Sequence, residues 1–325
     1  MSCTIHFLNV KDGDCTIIQH ETERVSVIDI CNGNEKQKYN FCSEANFNMR
    51  ENSINPITYL ENLNIKNIFR FILTHPDMDH LDGLENLFTK FTVVNFWDTG
   101  HKKDMREFKN SKYKETDWEY YLKVRKSCEN PKVLQYYLGC EYDYFMKDGL
   151  EIISPNKILE KEILNSKNPN WNEISYVILH TIYDRKILYC GDSEDLAWKY
   201  ILNNKELHKK IKDIDILIAP HHGRKTGGDK ENIFLNELNP KLVLFGNTSD
   251  SKHKNYQAFN NRKIPILTNN EAGNIIMEIN NKEISIKTEN DINGIITAKN
   301  YSDGAKRIKK IKENYKIIFK GFNYE

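Results

Sequence analysis

Apolar residues in the amino-terminal third of the chain occur in short runs separated by polar turns, a pattern typical of β-strands. The runs that predict strands are residues 4–10, 15–19, 25–30, 68–73 and 93–96. The Asp12-Gly13 step between the first two runs favours a hairpin. Helical spacing of apolar residues predicts short helices at 56–63 and 83–90, and the polar stretch 31–55 indicates a loop with room for one helical turn.

The same pattern returns in the second half of the chain. The predicted strands there are 151–153, 176–182, 186–189, 214–219, 242–245, 264–267 and 275–279, and helices are predicted at 195–203 and 230–238. Residues 100–148 are basic, aromatic and irregular, which indicates an insertion with a helix at 118–127. Because no repeat or long linker divides the chain, we expect one α/β domain over 1–300, with sheets covered by helices, and a basic extension at 301–325.

Composition and charge restrict the class of protein. The chain has 325 residues, 39% of them apolar, which argues against a disordered protein. Its 47 basic and 46 acidic residues nearly cancel, so the net charge gives no sign of a histone-like DNA-binding protein. The seven cysteines form no C-x-x-C pair, which argues against a cysteine zinc site. Without a signal-like start or a long apolar run, we expect a soluble cytoplasmic protein with no membrane segment.

The densest group of potential metal ligands follows one of the predicted buried strands. Its members, all within six residues, are His75, Asp77, Asp79 and His80. Loops at the carboxyl ends of strands commonly hold the sites of α/β proteins. Imidazoles and carboxylates are donors that zinc, manganese and iron accept. The alternative explanation, a helix cap, requires one such residue and not four.

This spacing resembles the HxHxDH signature of the metallo-β-lactamase fold, in the HxDxDH form typical of the hydrolase domain of ComEC competence proteins. Further segments are similar to that family in the same order: residues 7–14, 27–29, 172–192, 220–223, 251–256 and 268–276. The likeness covers roughly residues 4–280 and leaves out the insertion and the tail. It implies an α/β protein with the metallo-β-lactamase fold, a four-layer αββα sandwich.

The resemblance also implies a hydrolase that binds two divalent ions, zinc or manganese. The implied metal ligands are His75, Asp77, Asp79, His80, Asp192 and His222, with His221 as the second candidate beside His222. Asp192 follows a strand and would bridge both ions. His221 would otherwise contact the substrate or hold a ligand in place. Asp29, which ends a strand, would orient a ligand histidine.

This chain departs from the family pattern at two ligand positions. Asp77 stands where the common form of the motif has a histidine, and its harder oxygen donor favours manganese or mixed occupancy over zinc alone. The histidine that the family has upstream of the bridging carboxylate is missing, because Asn172 and Glu173 occupy that position. We expect Asn172 to lie beside the ligands, and one ion to be held partly by water.

An anionic substrate is expected from the residues that follow the histidine pair. Arg224, Lys225 and Thr226 suit phosphate oxygens, and His253 would bind the scissile phosphate or protonate the leaving group, unless it is a surface histidine. The catalytic candidates are Asp79, which belongs to the ligand motif, and Arg224 and His253. The leading function is a phosphodiesterase or nuclease acting on DNA, RNA or a nucleotide. The alternatives are a two-metal hydrolase of phosphocholine esters or lactones, and a regulatory protein that keeps its metals.

Four other features allow two interpretations. The basic and aromatic insertion suits single-stranded nucleic acid, or is a solvated loop. Residues 306–320 carry seven Lys or Arg among apolar positions, which indicates an amphipathic helix, either solvated or covering a partner. His180 lies within a predicted strand and is expected to pack in the core. His101 follows a strand and could be a further metal ligand, but it belongs to no motif that would support this role.

Overall fold

The computed structural model describes residues 2–36, 48–103, 113–248, 251–290 and the backbone of 316–319. In chain order the strands are β1 (Cys3–Phe7), β2 (Thr16–Gln19), β3 (Val25–Ile28), β4 (Asn67–Ile72), β5 (Thr92–Trp97), β6 (Lys132–Leu134), β7 (Leu150–Ser154), β8 (Val177–Ile182), β9 (Arg185–Tyr189), β10 (Ile216–Ile218), β11 (Leu242–Phe245), β12 (Ile266–Thr268), β13 (Ile275–Ile279), β14 (Ile284–Thr288) and β15 (Lys316–Phe319). They form a nine-stranded sheet in the order β15-β14-β13-β1-β2-β3-β4-β5-β6 and a six-stranded sheet in the order β12-β11-β10-β9-β8-β7.

Helices cover the outer face of each sheet. The α-helices of the described residues are α1 (Pro56–Asn62), α2 (Leu84–Lys90), α3 (Glu115–Val124), α4 (Asp143–Met146), α5 (Lys157–Leu164), α6 (Asp195–Asn203), α7 (Lys205–Ile211), α8 (Ile233–Leu238), α9 (Tyr256–Asn261) and α10 (Asn269–Ala272). Two of the short ones, α4 and α10, instead contribute Phe145 and Ala272 to the core between the sheets. Asparagine side chains cap several of them: the Asn55 oxygen accepts from the backbone N–H groups of Ile57 and Thr58, and Pro56 begins α1. Such caps satisfy amide groups that have no partner within the helix.

The alternation of side chains along the strands explains the four layers. Ile72 of β4 and Ile216 of β10 face the central core between the two sheets, whereas their neighbours Phe71 and Leu217 face the outer cores under the helices. Because successive strand residues point to opposite faces, a strand that is apolar at every position must be covered on both sides. The short, continuously apolar runs of the sequence are therefore the inner layers of an αββα sandwich.

The sheets bring the carboxyl ends of their parallel strands to one edge of the molecule. The parallel pairs β3–β4 and β4–β5 lie in the first sheet, and β9–β10, β10–β11 and β11–β12 in the second. The loops that follow β4, β9 and β10 carry the candidate ligands, and the loop that follows β3 carries Asp29. This topology therefore places segments far apart in sequence at a common edge.

The structure adds elements that the sequence pattern did not indicate. Helices α5, α7, α9 and α10 and strand β14 are additional, as are α4 and β6 within the segment 100–148, where β6 pairs alongside β5. Helix α3 corresponds to the helix expected at 118–127 in that segment. The helix expected over 306–320 is wrong for Lys316–Phe319, whose backbone pairs in parallel with β14. The β-branched and aromatic residues there favour a strand, and β14 offers it an open edge. The rest of the extension lies outside the described residues.

Candidate metal centre

Asp192 lies at the centre of the loops that converge at this edge, and its two carboxylate oxygens face different pairs of histidines. Oδ1 is 3.2 Å from His80 Nε2 and 3.6 Å from His222 Nε2. Oδ2 is 3.7 Å from His75 Nε2 and 3.3 Å from His221 Nε2. A carboxylate in this position can bridge two cations, as two-metal hydrolases require.

Each of the remaining aspartates lies near one histidine of a pair. Asp77 Oδ1 is 3.9 Å from His75 Nε2, and Asp79 Oδ2 is 3.5 Å from His222 Nε2. We call His75, Asp77, His221 and Asp192 Oδ2 the first half-site. The second half-site consists of Asp79, His80, His222 and Asp192 Oδ1. Nitrogen and carboxylate donors in such sets are typical of zinc, manganese and iron sites.

The hydrogen bonding of these residues is suited to metal ions. Among the described residues, the buried atoms without a hydrogen-bond partner include His75 Nε2, His80 Nε2, His222 Nε2 and Asp192 Oδ1. Buried polar atoms are nearly always paired, so several unpaired atoms that converge on one point require a ligand. Clusters that could hold an ion include Asp79, His80 and His222 of the second half-site, and His75, His80 and Asp192, which draws on both half-sites. The donor set therefore fits divalent metal ions.

Carboxylates lie beside the far nitrogens of three of these histidines, and two of them, Asp29 and Glu194, make hydrogen bonds there. Asp29 Oδ2 accepts from His80 Nδ1 at 2.8 Å, and Asp29 also accepts from the backbone N–H and the hydroxyl of Thr74. Glu194 Oε1 lies 2.8 Å from His221 Nδ1, and Asp14 Oδ1 lies 3.1 Å from His222 Nδ1. Such partners fix which nitrogen carries the proton and leave Nε2 for a metal.

In the absence of metal ions, the carboxylates and histidines of the centre strongly shift one another's pKa values. Burial alone would lower the pKa of His222, but Asp14 and Asp192 raise it to about 10. Burial likewise opposes protonation of His80, yet Asp192 and Asp29 hold its pKa well above the ordinary value. Burial tends to raise the pKa of Asp192, and the surrounding histidines, led by His221, hold it well below the ordinary value. Divalent cations would replace the protons that this negative cluster attracts.

The turn that carries His221 and His222 is strained. Both residues adopt left-handed backbone conformations, with φ of 50° and 54°. Non-glycine residues rarely adopt positive φ, and such strain concentrates at functional sites. The turn follows β10 directly, and the backbone N–H of His221 donates to the carbonyl of Gly191 beside Asp192. The strain thus orients both imidazoles toward the same carboxylate.

The predicted substrate-binding residues lie at different distances from this cluster. Arg224 Nη1 is 3.2 Å from His221 Nε2, and the Thr226 hydroxyl is 2.9 Å from His221 Nδ1, so Thr226 contacts a candidate ligand. The side chains of Lys225 and His253 are exposed. Their backbones meet where the Lys225 N–H donates to the His253 carbonyl. Asn172 reaches the centre only through Glu194, to which its amide donates at 3.3 Å.

Sequence reasoning gave no role to three charged residues at or near this edge, namely Asp14, Glu194 and Lys254, and it counted Lys103 only among the basic residues of the insertion that suit nucleic acid. Asp14 ends the first motif of the resemblance, and Glu194 lies two residues after Asp192, so their positions in the sequence could have identified both residues. Lys103 Nζ is 2.6 Å from Asp77 Oδ1. Lys254 is buried, donates to the Gly246 carbonyl, and has its pKa lowered to about 8 by burial. Lys254 lies within the segment 251–256 of the resemblance, whereas Lys103 belongs to no motif.

A separate group of His and Cys side chains lies in the core. Cys3, His20 and His180 are close enough to share an ion. The guanidinium of Arg70 already lies 3.4 Å from His20 Nε2, and His180 Nδ1 lies 3.3 Å from the Tyr189 hydroxyl. Because a resident cation and hydrogen-bond partners occupy this group, we assign it to packing.

Comparisons with known proteins agree with this architecture. No family model matches the chain, and no curated protein matches it. Solved structures similar to it include the metallo-β-lactamase fold protein YhfI from Bacillus subtilis (12% identity, 86% of this chain and 100% of the other, TM-score 0.46). Igni18, a metallo hydrolase from Ignicoccus hospitalis (13%, 85% and 100%, 0.49), and a diphosphatase of the PhnP family (13%, 86% and 98%, 0.43) are also similar.

Structures this distant do not indicate the activity of this chain, and they provide no link to ComEC proteins. The α/β fold expected from the resemblance, the αββα sandwich of the metallo-β-lactamase fold, is confirmed by the two sheets and their outer helices. Within the described ranges, no helix has the length and apolar character needed to span a bilayer.

Proposed function

We propose that this chain is a metal-dependent hydrolase that binds two divalent ions and cleaves a phosphodiester. The observation that carries the proposal is the position of Asp192, whose oxygens each face two histidines with buried nitrogens. Such an arrangement has no evident use in a folded core, because it collects negative charge and unpaired nitrogens at one point. It does suit a bridged pair of ions.

The chain's own residues would divide the work between the half-sites. The first half-site would hold one ion and the second half-site the other, with Asp192 shared. When bound, two such ions would lower the pKa of a water molecule to about 7 and neutralise charge that develops on the ester oxygens. Asp29, Glu194 and Asp14 would keep His80, His221 and His222 in the orientation that ligation requires.

Cationic side chains at the rim support an anionic ester as the substrate. Arg224 lies beside His221 in the first half-site, and its planar guanidinium can donate two hydrogen bonds to phosphate oxygens. Lys225 and His253 are exposed on the adjoining loops, which suits contact with a substrate that enters from solvent. In this proposal His253 protonates the leaving group.

The oxygen donor Asp77 supports manganese as well as zinc in the first half-site.

We further propose a likeness to the ComEC-type hydrolase domain, a cytoplasmic location, and single-stranded nucleic acid or a nucleotide as the anionic partner. The basic residues 104–112 of the insertion lie outside the described residues. The division into a domain at 1–300 and an extension at 301–325 likewise stays a proposal.

The first experiment measures metal content after reconstitution with zinc and, separately, with manganese. Two equivalents per chain are expected from the two half-sites. Less than one equivalent with either metal would contradict the proposal.

The second experiment incubates the metal-loaded protein with single-stranded DNA, RNA, cyclic dinucleotides, phosphocholine esters and lactones. Cleavage of a phosphodiester that chelation abolishes is the expected result. Turnover of lactones alone would place the chain in another ester class. Full metal content without turnover of any ester would favour a regulatory protein.

A further inference from the structure

Lys254 lies behind the second half-site, in the connection between β11 and α9. The residue is only 7% exposed, and lysine is rarely buried to this degree unless its charge is used. Its backbone forms an antiparallel bridge with Arg224, two residues after His222. Next to that bridge, the Asn255 N–H donates to the Gly223 carbonyl at 2.8 Å. The backbone at Lys254 is therefore bonded to the loop that carries a candidate ligand.

The side chain of Lys254 bonds to a second segment, which lies against Asp14. Its ammonium donates to the carbonyl of Gly246, the first residue after β11. Gly246 is packed so closely that a Cβ atom there would lie 2.3 Å from Asp14 Oδ1 and 3.1 Å from His222 Nδ1. The residue after Gly246 forms a backbone bridge with Gly13, the neighbour of Asp14. Lys254 thus connects the segments that carry both members of the Asp14–His222 pair.

The contact between Asp14 and His222 depends on these surroundings. Asp14 Oδ1 lies 3.1 Å from His222 Nδ1, yet both buried atoms lack a well-formed hydrogen bond. A buried carboxylate is costly unless a cation balances its charge. Burial lowers the pKa of Lys254 to about 8, Asp14 opposes that shift more strongly than Glu271 does, and Arg50 adds to it. The ammonium and the Asp14 carboxylate therefore attract each other.

We propose that Lys254 is a positioning residue of the second half-site, which holds Asp14 against His222 Nδ1 and so directs His222 Nε2 toward the ion. The inference rests on the proposed function, since it concerns one of the two ions of the same centre. The ammonium bonds to Gly246 and not to a candidate ligand, so it acts through Asp14. Residues that orient a ligand in this way commonly change metal affinity 10- to 100-fold.

The test measures the affinity for each ion by competition with a chromogenic chelator. Lys254→Met removes the charge and keeps a long side chain, and we expect it to weaken binding of one ion about 10-fold, with the other unchanged. The affected ion should be the one that His222→Ala loses, and its cobalt absorption should change in Lys254→Met. Lys252→Met is the matched control, because Lys252 is exposed in the same connection, and its replacement should leave both affinities unchanged.

A double-mutant cycle separates positioning from a general effect on the fold. Asp14→Asn alone should weaken binding of the same ion. Addition of Lys254→Met to that variant should cause less than about threefold further loss, since the lysine acts through the Asp14 carboxylate. If Lys254→Met does not fold, Lys254→Gln takes its place in the cycle, because a polar amide can still bond to a buried carbonyl.

Three results would overturn the inference. Unchanged affinity for both ions in Lys254→Met would show that the lysine has no role in the centre. Equal weakening of both ions would indicate a general structural effect. The full loss of affinity on adding Lys254→Met to Asp14→Asn would show that the lysine does not act through Asp14. By contrast, the expected pattern in a protein that cleaves no phosphodiester would refute the proposed function and leave the positioning role standing.

Discussion

His221 Nε2 lies 3.3 Å from Asp192 Oδ2, the same oxygen that faces His75. This contact accounts for the histidine that the sequence pattern lacks. The expected position holds Asn172, whose amide donates to Glu194, and Glu194 in turn contacts His221. In the proposed centre, the turn after β10 would therefore supply the nitrogen that the segment before β8 does not.

Replacement of the bridging residue should affect both ions. In Asp192→Ala we expect metal content to fall from two equivalents to less than one, because each half-site loses one of its donors. Phosphodiester turnover should fall more than about a thousandfold, since water without a metal has a pKa of about 15.7. Metal analysis and turnover of the folded variant check this, and His80→Ala should also abolish turnover.

Asp184→Ala is the control for Asp192→Ala. Asp184 is exposed in the turn between β8 and β9, at the amino-terminal end of β9 and away from the metal centre. Wild-type turnover and full metal content in Asp192→Ala would remove the bridging assignment.

The two adjacent histidines should serve different ions. His221→Ala is expected to retain one equivalent of metal, because only the first half-site loses a donor, and His222→Ala should retain one equivalent in the other half-site. Cobalt substitution distinguishes the two variants, since the absorption of each half-site depends on its own ligands. His180→Ala is the control, since His180 contacts Tyr189 in the core. Loss of metal in His180→Ala, with none in His221→Ala, would reverse the assignment.

The sequence predicted many of the individual strands and helices because their signals are local, whereas the four-layer arrangement came from the family resemblance. Strand β11 and helix α6 coincide with the predicted runs 242–245 and 195–203, where apolar periodicity is strong. Helix α7 was missed, because its polar, lysine-rich sequence shows little periodicity and its start depends on the Asn204 cap. Strand β6 has only three residues and depends on pairing with β5, which no local pattern indicates.

Residues of the candidate centre could be predicted where they belong to one short motif. Residues that are distant in sequence and come together only in the folded chain could not. His75 and His80 belong to one short segment. Glu194 and Lys103 approach the cluster through the loop after β9 and through the insertion. Contacts of that kind depend on how two sheets bring distant loops together. The sequence could list candidate ligands, but it gave no sign that His221 lies beside the Asp192 oxygen that faces His75.

The carboxylate behind His221 should control metal affinity. Glu194 Oε1 lies 2.8 Å from His221 Nδ1, and this contact holds the pKa of Glu194 below its ordinary value although burial opposes that shift. Glu194→Gln keeps the size of the side chain but removes its charge. We expect affinity for one of the two ions to fall about 10- to 100-fold, with the other unchanged. Competition with a chromogenic chelator measures both affinities.

Glu162→Gln is the matched control for Glu194→Gln, because Glu162 contacts the Tyr200 hydroxyl on the exposed surface of α5. Equal weakening of both ions in Glu194→Gln would indicate a general structural effect and contradict the specific role.

His20, which lies with His180 in the core group outside the metal centre, should make the stability of the fold sensitive to acid. His20 is 6% exposed, and its Nε2 lies 2.7 Å from the Ser26 hydroxyl. Burial, and next the positive charge of Arg70, lower its pKa to about 3. In the unfolded chain the same imidazole titrates near pH 6.5. Between these two values the unfolded state therefore binds a proton that the folded state does not.

Stability should consequently fall as the pH decreases through this window. The contribution of His20 is fully present above pH 6.5 and is lost progressively toward pH 3, which amounts to about 2 kcal/mol between pH 7 and pH 5. His20→Gln cannot titrate, so its free energy of unfolding should decrease less than that of the wild type by this amount. Urea denaturation of the metal-free proteins at both pH values measures the difference, with the partly exposed His208→Gln as control. Parallel decreases in the wild type and His20→Gln would show that the buried imidazole is not the acid-sensitive group.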